Sequence, residues 1–210
     1  MKKIFLLGDS VCLHYLPYLE TYLKGKLTIE SKAGRDEALR QINKTVGANG
    51  GNSKEVLKYV KEKAANDDLN FDAFVFNCGL LDIKREIPEE KLAVSVEEYE
   101  ENLREIYEIM KKNGKMCVFI TTTPVNQKAH NEQLPDGINR YNKDVYEYNE
   151  VAKKIAIVYN MPVIDLCGFI SKVTDGLYAD YAHFSFPTRR LQAAFVAGEL
   201  LTLLDIKDMD

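Results

Sequence analysis

Five short apolar runs punctuate the chain: Lys3–Leu7, Leu27–Glu30, Ala73–Asn77, Met116–Thr121 and Pro162–Leu166. Most are apolar without alternation and rich in Val, Ile, Phe or Leu. A strand with one wet face alternates polar and apolar residues, whereas a continuously apolar strand is covered on both faces. The pattern therefore points to a parallel sheet with helices on either side.

Helix signals fill the intervals. Ser53 to Ala65 puts Val56, Leu57, Val60 and Ala64 on one face, with Asn52 and Glu55 spaced as a capping box. Ser95-Val96-Glu97-Glu98 is a second capping box, opening a helix striped by Leu103, Ile106, Tyr107 and Met110 and stopped by Asn113-Gly114. Asn142 to Tyr159 carries Val145, Tyr148, Ala152, Ile155 and Ala156, and Pro187 suits the first turn of a last helix. Strands interleaved with helices predict a single α/β domain over residues 1–210, three layers deep with right-handed crossovers. Two polar stretches, Ser31 to Gly51 and Asn126 to Tyr141, are long for plain connections, and loops of that length tend to carry function.

Composition removes several function classes. Of 210 residues, 46% are hydrophobic and 29% charged, which is globular rather than disordered. A net charge of −4 without a basic block argues against nucleic acid as partner. The apolar runs are too short to span a bilayer. Met1-Lys2-Lys3 and the apolar residues after it superficially resemble a leader, but Gly8-Asp9-Ser10 follows at once without a small-residue cleavage site. The expected location is cytoplasmic, or secreted if a leader has been trimmed. Cys12, Cys78, Cys117 and Cys167 are widely spaced and read as reduced, mostly buried thiols.

In an open parallel sheet, ligands bind beyond the carboxyl ends of the strands. Strand one runs into Gly8-Asp9-Ser10, which can set a serine hydroxyl and backbone N–H at a helix N-terminus, or can simply cap that helix. Strand two leads to Gly47-Ala48-Asn49-Gly50-Gly51-Asn52-Ser53, where Gly51 is a candidate backbone donor and Asn52 a candidate cap. This is not a G-x-G-x-x-G fingerprint, and it has no phosphate-loop lysine. Strand three ends in Asn77-Cys78-Gly79-Leu80-Leu81-Asp82, with Asp82 readable as a loop or cap residue. Asp180-Tyr181-Ala182-His183 precedes the last helix, a spacing that lets a carboxylate orient an imidazole able to take a serine proton. His14 and Tyr15 follow Ser10 closely enough to line a pocket or to pack, and His130 reads as a surface residue. His14 and His130 are too isolated to form a metal motif.

Together, G-D-S after strand one, a glycine before a helix, G-x-x-D after strand three and D-x-x-H before the last helix resemble the GDSL/SGNH hydrolase superfamily. The stretches Gly8 to Val11 with His14-Tyr15 and Pro17-Tyr18, Gly47 to Ser53, Asn77-Cys78-Gly79 and Thr122 to Val125 are similar to one bacterial branch of it. The resemblance covers essentially the whole chain. It implies a flavodoxin-like, five-stranded parallel sheet of order 2-1-3-4-5 and a serine esterase without cofactor or metal. Ser10 would be the nucleophile, His183 the general base and then acid, and Asp180 the residue orienting it. The Ser10 and Gly51 N–H groups would form the oxyanion hole. The superfamily's third donor is an asparagine in G-x-N-D, and here Leu81 stands in that slot. Losing one such donor costs ~10²–10³ in turnover, so Asn77 or Asn52 compensates, the substrate differs, or the enzyme is slow.

Two functions from different classes follow. One is hydrolysis of a carboxylic ester with a short acyl group, an O-acetyl carbohydrate being one such substrate. The other, motivated by Leu81, is a crevice kept for binding a sugar or small ligand with little or no catalysis. A third, a nucleotide- or phosphate-binding crevice, leaves Asp180 and His183 unexplained. The expected partner is a small-molecule ester or acylated carbohydrate, and a homodimer is compatible with the sequence, which displays no interface.

Overall fold

A computed structural model describes residues 1–134 and 137–206. The parts of the expected 1–210 domain and of the 126–141 stretch that fall at 135–136 and 207–210 lie outside the described residues.

The parallel sheet contains β1 (Lys2–Leu7), β2 (Leu27–Ser31), β3 (Ala73–Phe76), β6 (Met116–Ile120) and β8 (Val163–Ile164). Their order is β2-β1-β3-β6-β8, with every pairing parallel. Counted among themselves, these strands run second, first, third, fourth, fifth. The higher numbers arise because short strands β4 (Arg85–Glu86), β5 (Lys91–Leu92) and β7 (Ile138–Asn139) intervene and form their own antiparallel sheet, order β5-β4-β7. This second sheet has no counterpart in the sequence reading. Two-residue strands are too short to show a period.

Helices α1 (Ser10–Tyr22) and α8 (Phe186–Leu203) pack together, with the short α7 (Leu166–Ile170) against α8. Helices α3 (Ser53–Ala65), α4 (Val96–Lys112) and α6 (Asn142–Tyr159) pack side by side as a second group. Every residue of β3 is buried, as coverage of both sheet faces requires. Phe76 sits edge-on to both Phe119 of β6 and Tyr107 of α4, fixing sheet to helix through aromatic contacts.

The two long polar stretches have order of their own. The first contains α2 (Arg35–Arg40), and the second contains α5 (Gln127–Gln133) and β7. The last strand is shorter than Pro162–Leu166, because the Asp165 carboxylate accepts the Gly168 N–H and starts α7 at Leu166. All four cysteines are free and buried. Among the described residues, no helix is long and apolar enough to cross a membrane.

Candidate active site

The site starts where β1 gives way to α1. Asp9 caps the helix, its carboxylate accepting the N–H groups of Val11 at 2.9 Å and Cys12 at 3.3 Å. It is almost fully buried, and that burial raises its pKa above the ordinary carboxylate value. Gly8 is required here because a Cβ would lie 2.5 Å from that of Cys12. Ser10 is thus the first residue of α1, where a backbone N–H has no acceptor within the helix.

Ser10 meets residues 173 positions away in sequence: its Oγ lies 3.0 Å from His183 Nε2. On the other side of the ring, Nδ1 lies 2.8 Å from Asp180 Oδ2. Asp180 also clamps its own turn, Oδ1 accepting the N–H groups of Ala182 at 2.8 Å and His183 at 2.7 Å. Partial desolvation would raise the Asp180 carboxyl, but these hydrogen bonds outweigh it and hold the pKa below the usual value. Tyr178 and Phe184 form an antiparallel bridge around this turn, and Ala179 N–H donates to the His183 carbonyl. The D-x-x-H segment is therefore a braced hairpin, and the Ser10–His183–Asp180 line is continuous.

Asp82 is wholly buried and accepts the Ser53 N–H with both oxygens, at 2.9 and 3.1 Å. It joins the loop after β3 to the start of α3, and its pKa is pushed up to about 6 by burial. The second link is backbone: Gly50 N–H donates to the Gly8 carbonyl at 2.8 Å, holding the glycine-rich loop against the Ser10 turn.

Ser10 and His183 open on a narrow crevice also lined by Asn49, Leu81, Lys84 and Arg140, with about 30 Å³ of free volume. Several residues expected at the site have other hydrogen-bond partners or lie off the crevice. The Gly51 N–H is engaged, donating to Asn49 Oδ1 at 3.0 Å, and Gly51 does not line the crevice. Asn52 serves as the α3 cap, exchanging hydrogen bonds with Glu55 at 3.2 and 2.9 Å. Asn77 donates from Nδ2 to the Ile120 carbonyl at 2.9 Å and to Thr122 Oγ1 at 3.3 Å. Two acceptors for two amide hydrogens leave none for a substrate. Asn77 and Tyr15 instead line a smaller inner cavity with Asp9.

His14 lies one helical turn after Ser10 and packs edge-on against His183, ring centroids 4.9 Å apart, rather than lining the crevice. Burial, with the Arg189 charge, lowers its pKa to about 3, so it is uncharged. His130, expected at the surface, is fully buried with Nε2 2.6 Å from Arg140 Nη1. Burial and Arg140 push its pKa down to about 4. Arg140 Nε donates to the Leu80 carbonyl at 2.8 Å, so the second polar stretch reaches the loop after β3. Leu81 lines the crevice as a side chain without a donor.

The sequence reading missed Asn49 and Arg140 as crevice residues. Asn49 lies inside the glycine-rich block between Gly47 and Gly51, and that position is the local signal that could mark it. Nothing local marks Arg140, whose place depends on packing against His130 and Leu80. Among the described residues, no group of three His, Cys, Asp or Glu side chains is arranged to hold a metal ion.

No protein-family model and no curated protein matches the chain. Solved structures do. The lipase/acylhydrolase from Enterococcus faecalis is 19% identical, with 100% of both chains covered and a TM-score of 0.71. A GDSL-like lipase from Bacteroides thetaiotaomicron VPI-5482 is 13% identical over 96% of this chain and 89% of that one, at a TM-score of 0.68. A variant of an acetyl xylan esterase from Geobacillus stearothermophilus is 15% identical over 100% of this chain and 97% of that one, at 0.61. At such identities the likeness is one of fold: this chain has the fold of the GDSL-like lipases and acylhydrolases.

Proposed function

We propose that this chain is a serine esterase of the GDSL/SGNH type, cleaving carboxylic esters of short acyl groups. The observation that carries the reading is the unbroken Ser10 Oγ–His183–Asp180 line, at 3.0 and 2.8 Å. Neither a purely structural serine nor a phosphate-binding crevice calls for that alignment.

In this scheme Ser10 Oγ attacks the ester carbonyl while its proton passes to His183 Nε2. The new Oγ–C bond forms as the carbonyl π pair moves onto oxygen. Asp180, accepting from Nδ1, holds the tautomer that leaves Nε2 open and stabilises the imidazolium. Collapse of the tetrahedral intermediate breaks the carbon–alkoxide bond, and His183 returns its proton to the departing alcohol. Water, deprotonated by the same Nε2, then attacks the acyl carbon, and the Oγ–C bond breaks as His183 returns that proton to Ser10 Oγ, releasing the acid. The Ser10 N–H, at the positive end of α1, is the backbone donor for the developing charge in this scheme. No cofactor enters.

The small crevice supports an acetyl-sized group, because pockets for drug-sized ligands run to ~300 Å³ and more, against about 30 Å³ here. The fold shared with an acetyl xylan esterase supports an acetylated carbohydrate as one substrate class. Hydrolysis of 4-nitrophenyl acetate by wild type and by Ser10→Ala tests the proposal. Turnover by wild type and none by the variant is expected. Equal turnover by both would overturn it, and ligand binding by an inactive wild type would favour a binding protein.

A further inference from the structure

If the chain is a serine esterase, none of the positions expected to complete its oxyanion hole supplies a side-chain donor to the crevice. Leu81 has none, Asn77 has used both amide hydrogens, the Gly51 N–H is taken by Asn49, and Asn52, the α3 cap, does not line the crevice. We propose that the Asn49 carboxamide is that donor, supplied from the glycine-rich loop instead of the loop after β3. The inference rests on the esterase reading and adds a catalytic residue to it.

Three features carry it. Asn49 lines the crevice together with Ser10 and His183 although it is only 2% exposed, so what reaches the crevice is a fixed group and not a mobile surface chain. Its neighbour Gly50 is bonded to Gly8, two residues before Ser10, which ties the two loops at the point where charge develops. Finally, the carboxamide has a defined orientation. The Gly51 N–H needs an acceptor and finds Asn49 Oδ1 at 3.0 Å, so the oxygen is turned toward backbone and Nδ2 is the group with capacity to spare. Nδ2 carries two hydrogens, and the Lys44 carbonyl at 3.3 Å takes one.

The loop is also preorganised. Asn49 N–H donates to the Val46 carbonyl, and the Asn49 carbonyl accepts from Lys32 Nζ at 3.0 Å. A donor fixed before the reaction costs no reorganisation when the oxyanion forms. The hydrogen bond received by Oδ1 polarises the amide and strengthens the Nδ2 donor. The Gly51 N–H therefore acts on the oxyanion through Asn49 and not directly, which reconciles an engaged glycine with the glycine-rich block.

The test uses two substitutions and one direct observation. Asn49→Asp keeps an acceptor for Gly51 but removes both amide hydrogens, and Asn49→Ala removes the side chain. Each is expected to lower kcat on 4-nitrophenyl acetate by ~10²–10³ while KM changes much less. Adding Leu81→Asn to Asn49→Ala is expected to restore at least tenfold by returning a donor to the crevice. Folded Asn49 variants within about threefold of wild-type kcat would overturn the proposal while leaving the esterase reading intact, provided Ser10→Ala is inactive. Should both variants fail to fold, wild-type protein decides: on phosphonylation of Ser10, one Asn49 Nδ2 proton resonance should move downfield, and an unmoved pair overturns the assignment. A wild type that neither hydrolyses esters nor takes phosphonate at Ser10 refutes the esterase reading, and this inference with it.

Discussion

Asp180 uses its two oxygens for different tasks, and Asp180→Asn separates them. Oδ1 accepts two backbone N–H groups, at 2.8 and 2.7 Å, while Oδ2 faces His183 Nδ1 at 2.8 Å. In the variant the carboxamide oxygen stays on the backbone side, because turning it would set an NH₂ against two N–H donors. The NH₂ then faces Nδ1, which must become an acceptor. The ring proton moves to Nε2, pointing at Ser10 Oγ, and the base that should take the serine proton is lost. A wrong tautomer of this kind costs about 10⁴ in kcat in a serine protease, or about 5 kcal/mol of transition-state stabilisation. The fold should hardly notice. The Asp180 side chain is 43% exposed, so its pairing with His183 is worth no more than about 1 kcal/mol. For a domain of this size that is roughly 2–4 °C in Tm. Steady-state hydrolysis of 4-nitrophenyl acetate and a thermal melt, side by side, check both halves. A variant within tenfold of wild-type kcat would refute the assigned role of Asp180, and a collapse in Tm would refute the division of labour between its oxygens.

Asp82→Asn tests the buried link between the β3 loop and α3. With its folded pKa at about 6 against an ordinary value near 3.9, the folded chain holds this proton more tightly than the unfolded one. Its contribution to stability is therefore greatest below about pH 4 and falls, by roughly 3 kcal/mol in all, as pH rises through 6. Asparagine keeps an acceptor for Ser53 and never ionises, so the Tm of the variant minus that of wild type should grow between pH 4.5 and 8, and a flat or falling difference would refute the argument. Among 4-nitrophenyl esters, kcat/KM should fall at least tenfold from acetate to octanoate, and a preference for octanoate would refute the short-acyl crevice.

Much of the fold was legible because it is written in local periodicity. The continuous apolar runs of β1, β3 and β6 and the striped faces of α3, α4 and α6 each carry their own signal. The pairing of Ser10 with Asp180 and His183 was legible through motif order, since the D-x-x-H turn meets the residue that follows the carboxyl end of β1. What escaped depends on three-dimensional competition for hydrogen bonds. A sequence places Gly51 N–H before a helix but does not say that the Asn49 side chain will take it. It likewise offers His130 as a lone polar residue and gives no hint that Arg140 will bury it. The β5-β4-β7 sheet was invisible for a different reason, its strands being too short for any pattern.

The most direct test of the central claim is to trap the nucleophile. Wild type and Ser10→Ala are treated with a fluorophosphonate, and the products are read by intact and peptide mass spectrometry. The account predicts one adduct on wild type, located at Ser10, with loss of ester turnover in proportion to labelling and no adduct on the variant. An adduct on another residue, or esterase activity that survives full replacement of Ser10, would contradict it.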